Sequence, residues 1–164
     1  MNALDGPVLI AYDGSAAARQ AVVDAAKLMG SCRMLVVTVW EEGLSYATPA
    51  MAPDQMTMAP GVDPIVALDL DRSLHQRAER VSRDGAELAR SLGVTADPLP
   101  VPDEGDIPAT ILRVARERQA AAIVVGSRGL RGLRARLEGS TSKGLLKHAS
   151  CPVIVVHESD EGED

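Results

Sequence analysis

The sequence predicts an α/β fold, a five-stranded parallel sheet with helices on both faces. Three observations carry that prediction. Five short apolar runs rich in Val, Ile and Leu recur along the chain. Stretches with helical spacing of apolar residues separate them. The runs are apolar throughout, as expected when both faces of a strand are covered, and strand-helix alternation is the mark of a parallel sheet.

The elements follow in order. Pro7 to Tyr12 (PVLIAY) is the first strand, closed by the turn Asp13-Gly14-Ser15. Asp13 or Ser15 caps the helix after it. There Ala18, Val22, Ala25 and Met29 form one apolar stripe, and Gly30 ends it. Arg33 to Trp40 (RMLVVTVW) is the second strand. Residues 43–63, with Met51, Met56, Met58, Pro49, Pro53 and Pro60, have no stable period. They read as a long mobile loop, either a lid or a disordered insertion. Pro64 to Leu92 is the longest helix, with an expected inward stripe of Leu70, Leu74, Ala78, Val81, Gly85, Leu88 and Leu92. Gly93 closes it. Val94 to Pro102 is a third strand, and Pro98, Pro100 and Pro102 assign it to a sheet edge. Ile107, Ile111, Val114 and Ala115 mark a short helix. Ala121 to Val125 is the fourth strand, Ser140 to Ala149 a helix with Leu145, Leu146 and Ala149 inward, and Pro152 to His157 the fifth strand.

At 164 residues the chain reads as one domain over 1–157, followed by an acidic tail at 158–164. Five of the net −6 charges sit in that tail, which leaves about −1 on the rest. With one Trp, two Tyr and no Phe, the core must be aliphatic, and stacking platforms for nucleic acid are not expected. The two cysteines, Cys32 and Cys151, have no metal spacing. No signal peptide and no apolar run of membrane-spanning length is apparent, so a cytoplasmic location without membrane association is the expectation.

The chemistry concentrates between Ile123 and Ser142. After the fourth strand come Gly126, Gly129 and Gly139-Ser140-Thr141-Ser142 at the start of a helix. From Gly126 to His148, six basic residues (Arg128, Arg131, Arg134, Arg136, Lys143 and Lys147) face Glu138 alone. Strand, glycine loop and helix N-terminus together surround an anion with backbone N–H groups. Gly126 would leave room for a ligand, and Gly129 would permit a positive φ or close backbone approach. The bland alternatives are turn glycines, a simple Ser140 cap and a solvated basic loop. A small local patch suits a small anion better than nucleic acid. In a parallel sheet, ligands lie outside the carboxyl ends of the strands, which points also to Asp13 and to Val39-Trp40. The bland alternative for Asp13 is a plain cap or turn acid. Neither a P-loop nor GxGxxG is present. Ser140-x2-Lys143 stands without the companion motifs of a serine acylase.

The spacing Gly126-x2-Gly129-x9-Gly139-Ser140 resembles that of the universal stress protein family, in the version associated with its ATP-binding branch. Tyr12-Asp13-Gly14-Ser15, Gly105-Asp106 and the run from His148 to Val156 extend the resemblance over nearly the whole chain. It implies a doubly wound, adenine nucleotide alpha hydrolase-like fold with strand order 3-2-1-4-5. It also implies bound ATP, alone or with Mg2+, and a homodimer paired through the last strand, 152–157. Carried over by position, Asp13 reads ribose or adenine, and Ala11 and Tyr12 flank it. Val39 sits against the base with Trp40 beside it. Gly126, Gly129, Gly139, Ser140 and Thr141 hold the phosphates, with Val125, Arg128 and Ser142 as neighbours. The position before Ala122, often Asp in the family, is Ala121 here. The implied role is a nucleotide-dependent switch or partner-binding module in stress response. The alternatives are a slow ATPase or phosphotransferase in the same pocket, and a structural partner protein with that pocket empty. Asp13 alone is an obvious acid near the site, so binding is expected over turnover.

Overall fold

The computed structural model describes residues 5–42, 64–103, 105–127 and 140–157. The order is β1 (Val8–Ala11), α1 (Ala16–Met29), β2 (Met34–Trp40), α2 (Pro64–Ser91), β3 (Ala96–Pro102), α3 (Ile107–Glu117), β4 (Ala122–Gly126), α4 (Ser140–His148) and β5 (Val153–Val156). All four strand pairings are parallel, and the sheet order is β3-β2-β1-β4-β5. The expected doubly wound α/β architecture is therefore the observed one. The expected loop at 43–63 and the acidic tail lie outside the described residues.

Period-two alternation sorts the strands into two apolar layers. Val8, Ile10, Met34, Val36 and Val124 pack with Ala18, Val22 and Ala25 of α1 and Ala86 and Ala89 of α2. Leu9, Ala11, Leu35, Val37, Ile123 and Val125 pack with Ile111, Leu112 and Val114 of α3 and Leu145 of α4. In the central strands β1 and β4 both faces are apolar and buried, in keeping with the continuous runs of the sequence.

Two expectations about helix faces need correction. On α2, Leu70 is 41% exposed and Leu92, just past the helix end, is 45% exposed. Of the expected stripe, Ala78 and Gly85 are buried and Val81 and Leu88 pack partly against the core; Ser82, Ala86 and Ala89, which the stripe left out, complete the buried face. The reason is close approach. A Cβ on Gly85 would lie 2.8 Å from Val36 Cγ1 and 2.9 Å from the Tyr12 ring, so the helix nearly touches the sheet and only small residues fit between. On α4, Leu146 is 54% exposed, whereas Leu145 is fully buried and Ala149 packs partly against the same core. Adjacent positions on a helix point about 100° apart, so one short helix cannot bury both leucines against one sheet face.

The two sheet edges differ. Asp103 N–H donates to the Trp40 carbonyl (2.7 Å) and the Thr95 carbonyl accepts from Met34 (2.8 Å). Odd-numbered residues of β3 thus turn their backbone groups toward β2. The even positions, where Pro98, Pro100 and Pro102 stand, face outward and carry no N–H there. The one outward carbonyl with a side-chain partner described is Ala96, which accepts from Arg90 Nε at 2.9 Å. This is the edge position the prolines announced. At the opposite edge, the carbonyls of Pro152 and Val156 accept from Ile123 (2.9 Å) and Ser127 (2.7 Å) of the β4 side. Val153 and Val155, at the alternate positions, turn their N–H and C=O groups outward.

Candidate functional site

The strand order reverses at β1, which lies between β2 and β4. Connections leave this point in opposite directions, and in a parallel sheet the carboxyl ends of the strands at such a reversal are where a crevice is expected.

On the β1 side, the turn after Ala11 is pinned by its own side chains. Asp13 Oδ1 accepts from Ser15 N–H (2.9 Å), and Ser15 Oγ accepts from Ala18 N–H (3.1 Å) as the cap of α1. Gly14 has φ of 81°, yet an added Cβ would have only Val81 Cγ1 at 3.8 Å. Glycine is needed there for its backbone conformation, and space is not the constraint. Asp13 is half-buried at the end of β1. Ala11 and Tyr12 are buried, at 5% and 1% exposure. The Tyr12 ring lies in the layer under α2, against Gly85. Its main chain is already engaged: N–H to the Val37 carbonyl (2.8 Å) and C=O from Thr38 Oγ1 (2.9 Å).

At the end of β2, Val39 packs into the layer under α3, whereas Trp40 points to the opposite face and meets His75 of α2 edge-on at 5.3 Å. The expectation that the two form one apolar wall is not met, since consecutive strand residues face opposite ways. The indole N–H of Trp40 is buried and without a hydrogen-bond partner among the described residues.

On the β4 side, Val125 is 1% exposed in the core. Gly126 closes the strand, but the reason for glycine differs from that expected. An added Cβ would stand 2.8 Å from both C and O of Ala17. The room Gly126 leaves is filled by the backbone of α1, at the helix start that follows the Asp13 turn. Arg128, Gly129 and Gly139 lie outside the described residues. Ser140 opens α4. Thr141 and Ser142 in that first turn are 5% and 2% exposed, so the protein encloses their side chains. What a helix leaves unmatched at this end is its first backbone N–H groups.

Two residues that position the crevice were not singled out from the sequence. Thr38 ties the end of β2 to the end of β1 through the Tyr12 carbonyl. Its signal was a lone hydroxyl inside the apolar run VVTVW. Asp103 fixes the turn into α3: its Oδ1 accepts from Thr110 Oγ1 (3.0 Å) and Gly105 N–H (3.1 Å). No spacing rule marks such an acid. Elsewhere, burial pushes the Cys151 thiol above its usual 9.0. Among the described residues no group of three His, Cys, Asp or Glu side chains is placed to hold a metal ion. None of the described helices is long and apolar enough to cross a membrane.

Comparison with known proteins agrees with this architecture. A universal stress protein of Thermus aquaticus is 30% identical over 151 residues, 91% of this chain and 96% of that protein. Shorter matches cover less of their relatives: 16% of the length of Rv2623 of Mycobacterium tuberculosis at 45% identity, and 51% of YxiE of Bacillus subtilis at 34%. Among solved structures, a universal stress protein family member from Burkholderia pseudomallei is 29% identical with a TM-score of 0.63, covering 92% of this chain and 95% of that one. A universal stress protein in complex with cAMP has a TM-score of 0.65 at 20% identity, covering 96% of this chain and 100% of that one. An Arabidopsis thaliana family protein with AMP bound has 0.62 at 18%, covering 97% and 96%. The last two speak for the fold. The pattern of the universal stress protein family matches residues 6–157, and the chain belongs to that family.

Proposed function

We propose that the protein binds an adenine nucleotide, ATP in the first instance, in the crevice between the β1 and β4 ends, and works as a nucleotide-dependent switch or partner-binding module in stress response. The observation that carries this reading is the reversal of strand order at β1, with the half-buried Asp13 turn on one side and the first turn of α4 on the other. A carboxylate suits sugar hydroxyls, and unmatched N–H groups at a helix start suit phosphate oxygens. The family relationship and the relatives with cAMP and AMP support the adenine moiety. In this reading Val39 borders the base, Ala11, Tyr12 and Val125 form the floor, and Gly126, Arg128, Gly129, Gly139, Ser140, Thr141 and Ser142 surround the phosphates. Mg2+ would accompany a triphosphate as its counter-ion. The free thiols Cys32 and Cys151 fit a reducing, cytoplasmic setting.

The pairing of two copies through β5 belongs to the same proposal. Its support is the outward backbone of Val153 and Val155, with the exposed Leu146 on the neighbouring helix.

The experiment is direct. The purified protein is denatured and the supernatant analysed for released nucleotide, and ATP is added to the folded protein in a thermal-shift assay. At a ligand concentration near 100 Kd, binding stabilises by about 2.7 kcal/mol, or roughly 5–10 °C for a domain of this size. Asp13→Asn keeps an acceptor for Ser15 N–H but loses the charge, and weakens binding about ten-fold. No released nucleotide together with no thermal shift overturns the proposal.

A further inference from the structure

A groove of about 360 Å³ runs between α3 and α4, away from the crevice. Pro108, Leu112 and Gly144 are among its lining, Asp106 lies toward one end, and Arg116 and His148 lie toward the other. Lys143 and Lys147 each precede a lining residue of α4 by one position, about 100° round the helix, so they stand at its rim. Both lysines, Arg116 and His148 are exposed. One end of the groove therefore gathers Arg116, Lys147 and His148 beside an apolar floor, with Lys143 one turn nearer the Asp106 end.

We propose that this groove receives the acidic segment of the same chain, Glu158 to Asp164. Three features carry the inference. The first is charge: the segment holds five carboxylates and no Lys or Arg. The second is reach. The segment follows β5 at the carboxyl edge of the sheet, the edge at which α4 also begins. From there α4 runs about 13 Å to its basic end. Seven extended residues span about 23 Å, enough to cross the helix and reach Arg116. The third is spacing. Lys143 and Lys147 are about 6 Å apart along the helix axis. Alternate residues of an extended chain are about 6.6 Å apart, and the pairs Glu158/Asp160 and Glu161/Glu163 have that separation in sequence. Docked there, the segment covers the apolar floor of Pro108 and Leu112 and neutralises the basic rim. A partner with an acidic segment then has to displace it.

Zero-length carbodiimide coupling of the full-length protein tests this, because the chain has only three lysines: Lys27, Lys143 and Lys147. The reagent joins a carboxylate to an amine only when they touch. The expected products link 158–164 to Lys147 and Lys143 within one chain, with Lys27 on α1 as the internal control. Raising the salt from about 0.1 to about 1 M shortens the screening length from about 10 to about 3 Å and should cut the yield about five-fold. Arg116→Glu reverses charge at the groove end without touching a lysine and should cut it about three-fold by the same screening-sensitive attraction. Four outcomes overturn the proposal: no lysine product, as expected if the segment rests on the arginines of 128–136; equal coupling to Lys27; product only at twice the chain mass; or a yield that Arg116→Glu leaves unchanged.

Discussion

Gly126→Ala separates two reasons for a glycine at the end of β4. If the glycine leaves room for a nucleotide, alanine lowers affinity and the fold is untouched. The geometry argues otherwise: the new Cβ would lie 2.8 Å from two backbone atoms of Ala17 and 3.0 Å from its Cβ. Real Cβ contacts are longer, and a helix backbone cannot rotate away as a side chain can. Either α1 or the end of β4 has to move. Overpacking of this kind costs about 1–3 kcal/mol. Replacing glycine in a strand returns about 0.5–1 kcal/mol through lost freedom of the unfolded chain. Taking the middle of both ranges, the net is a loss of about 1 kcal/mol, or roughly 2–4 °C in Tm for a domain of this size. Urea unfolding of the nucleotide-free protein measures it, with the m-value checked for constancy. Because α1 starts just after the Asp13 turn, nucleotide affinity should fall as well. A variant as stable as the parent, to within about 0.5 kcal/mol, refutes the packing argument and returns the glycine to the ligand.

Thr38→Val keeps the shape of a buried side chain but strips the Tyr12 carbonyl of its hydroxyl donor, and should lower stability by about 1–2 kcal/mol in the same urea assay. Leu146→Glu, at a position 54% exposed, should leave the urea midpoint nearly unchanged and shift light-scattering mass toward the monomer; an unchanged mass removes α4 from the proposed pairing. Val155→Asp probes the strand itself, and a dimer that survives it is not paired through β5. The raised Cys151 thiol implies slower alkylation than a free cysteine at neutral pH. Its pH linkage has a definite sign. Above pH 9.0 the unfolded thiol loses its proton before the folded one, so this group's contribution to stability falls as pH rises, and Cys151→Ser removes that dependence.

The central strands β1, β2 and β4 were readable because each is a short apolar run with both faces covered. The edge role of β3 was readable from three prolines at alternate positions. The inward faces of α2 and α4 were read less well, because helical spacing marks apolar residues without saying how near the sheet lies. At Gly85 that distance is so short that alanines and a serine share the buried face with the expected Ala78, Val81 and Leu88, while Leu70 and Leu92, toward the two ends of the helix, are left at the surface. At the candidate site, sequence position located Asp13 and Gly126 correctly at strand ends. It did not foresee that Tyr12 turns into the core or that Trp40 turns away from Val39. It also misjudged what Gly126 makes room for. Thr38 and Asp103 escaped notice because their partners are far away in sequence or local to a turn, and neither arrangement leaves a periodic trace.

The proline row of β3 has a consequence for assembly. A sheet with two usable edges can add copies at both and grow without limit. Here three of the outward positions at one edge lack the N–H a new strand would need, and only the β5 edge offers both donors and acceptors. For strand addition, then, the described sheet has a valence of one. The proposed self-pairing would then end at two copies and would not propagate into a fibre. It also makes occupancy exclusive: a chain whose β5 edge is held by a strand of another protein has none left for its own twin. Any partner that binds by adding a strand would therefore compete with self-pairing, and the ratio of the two would be set by concentration.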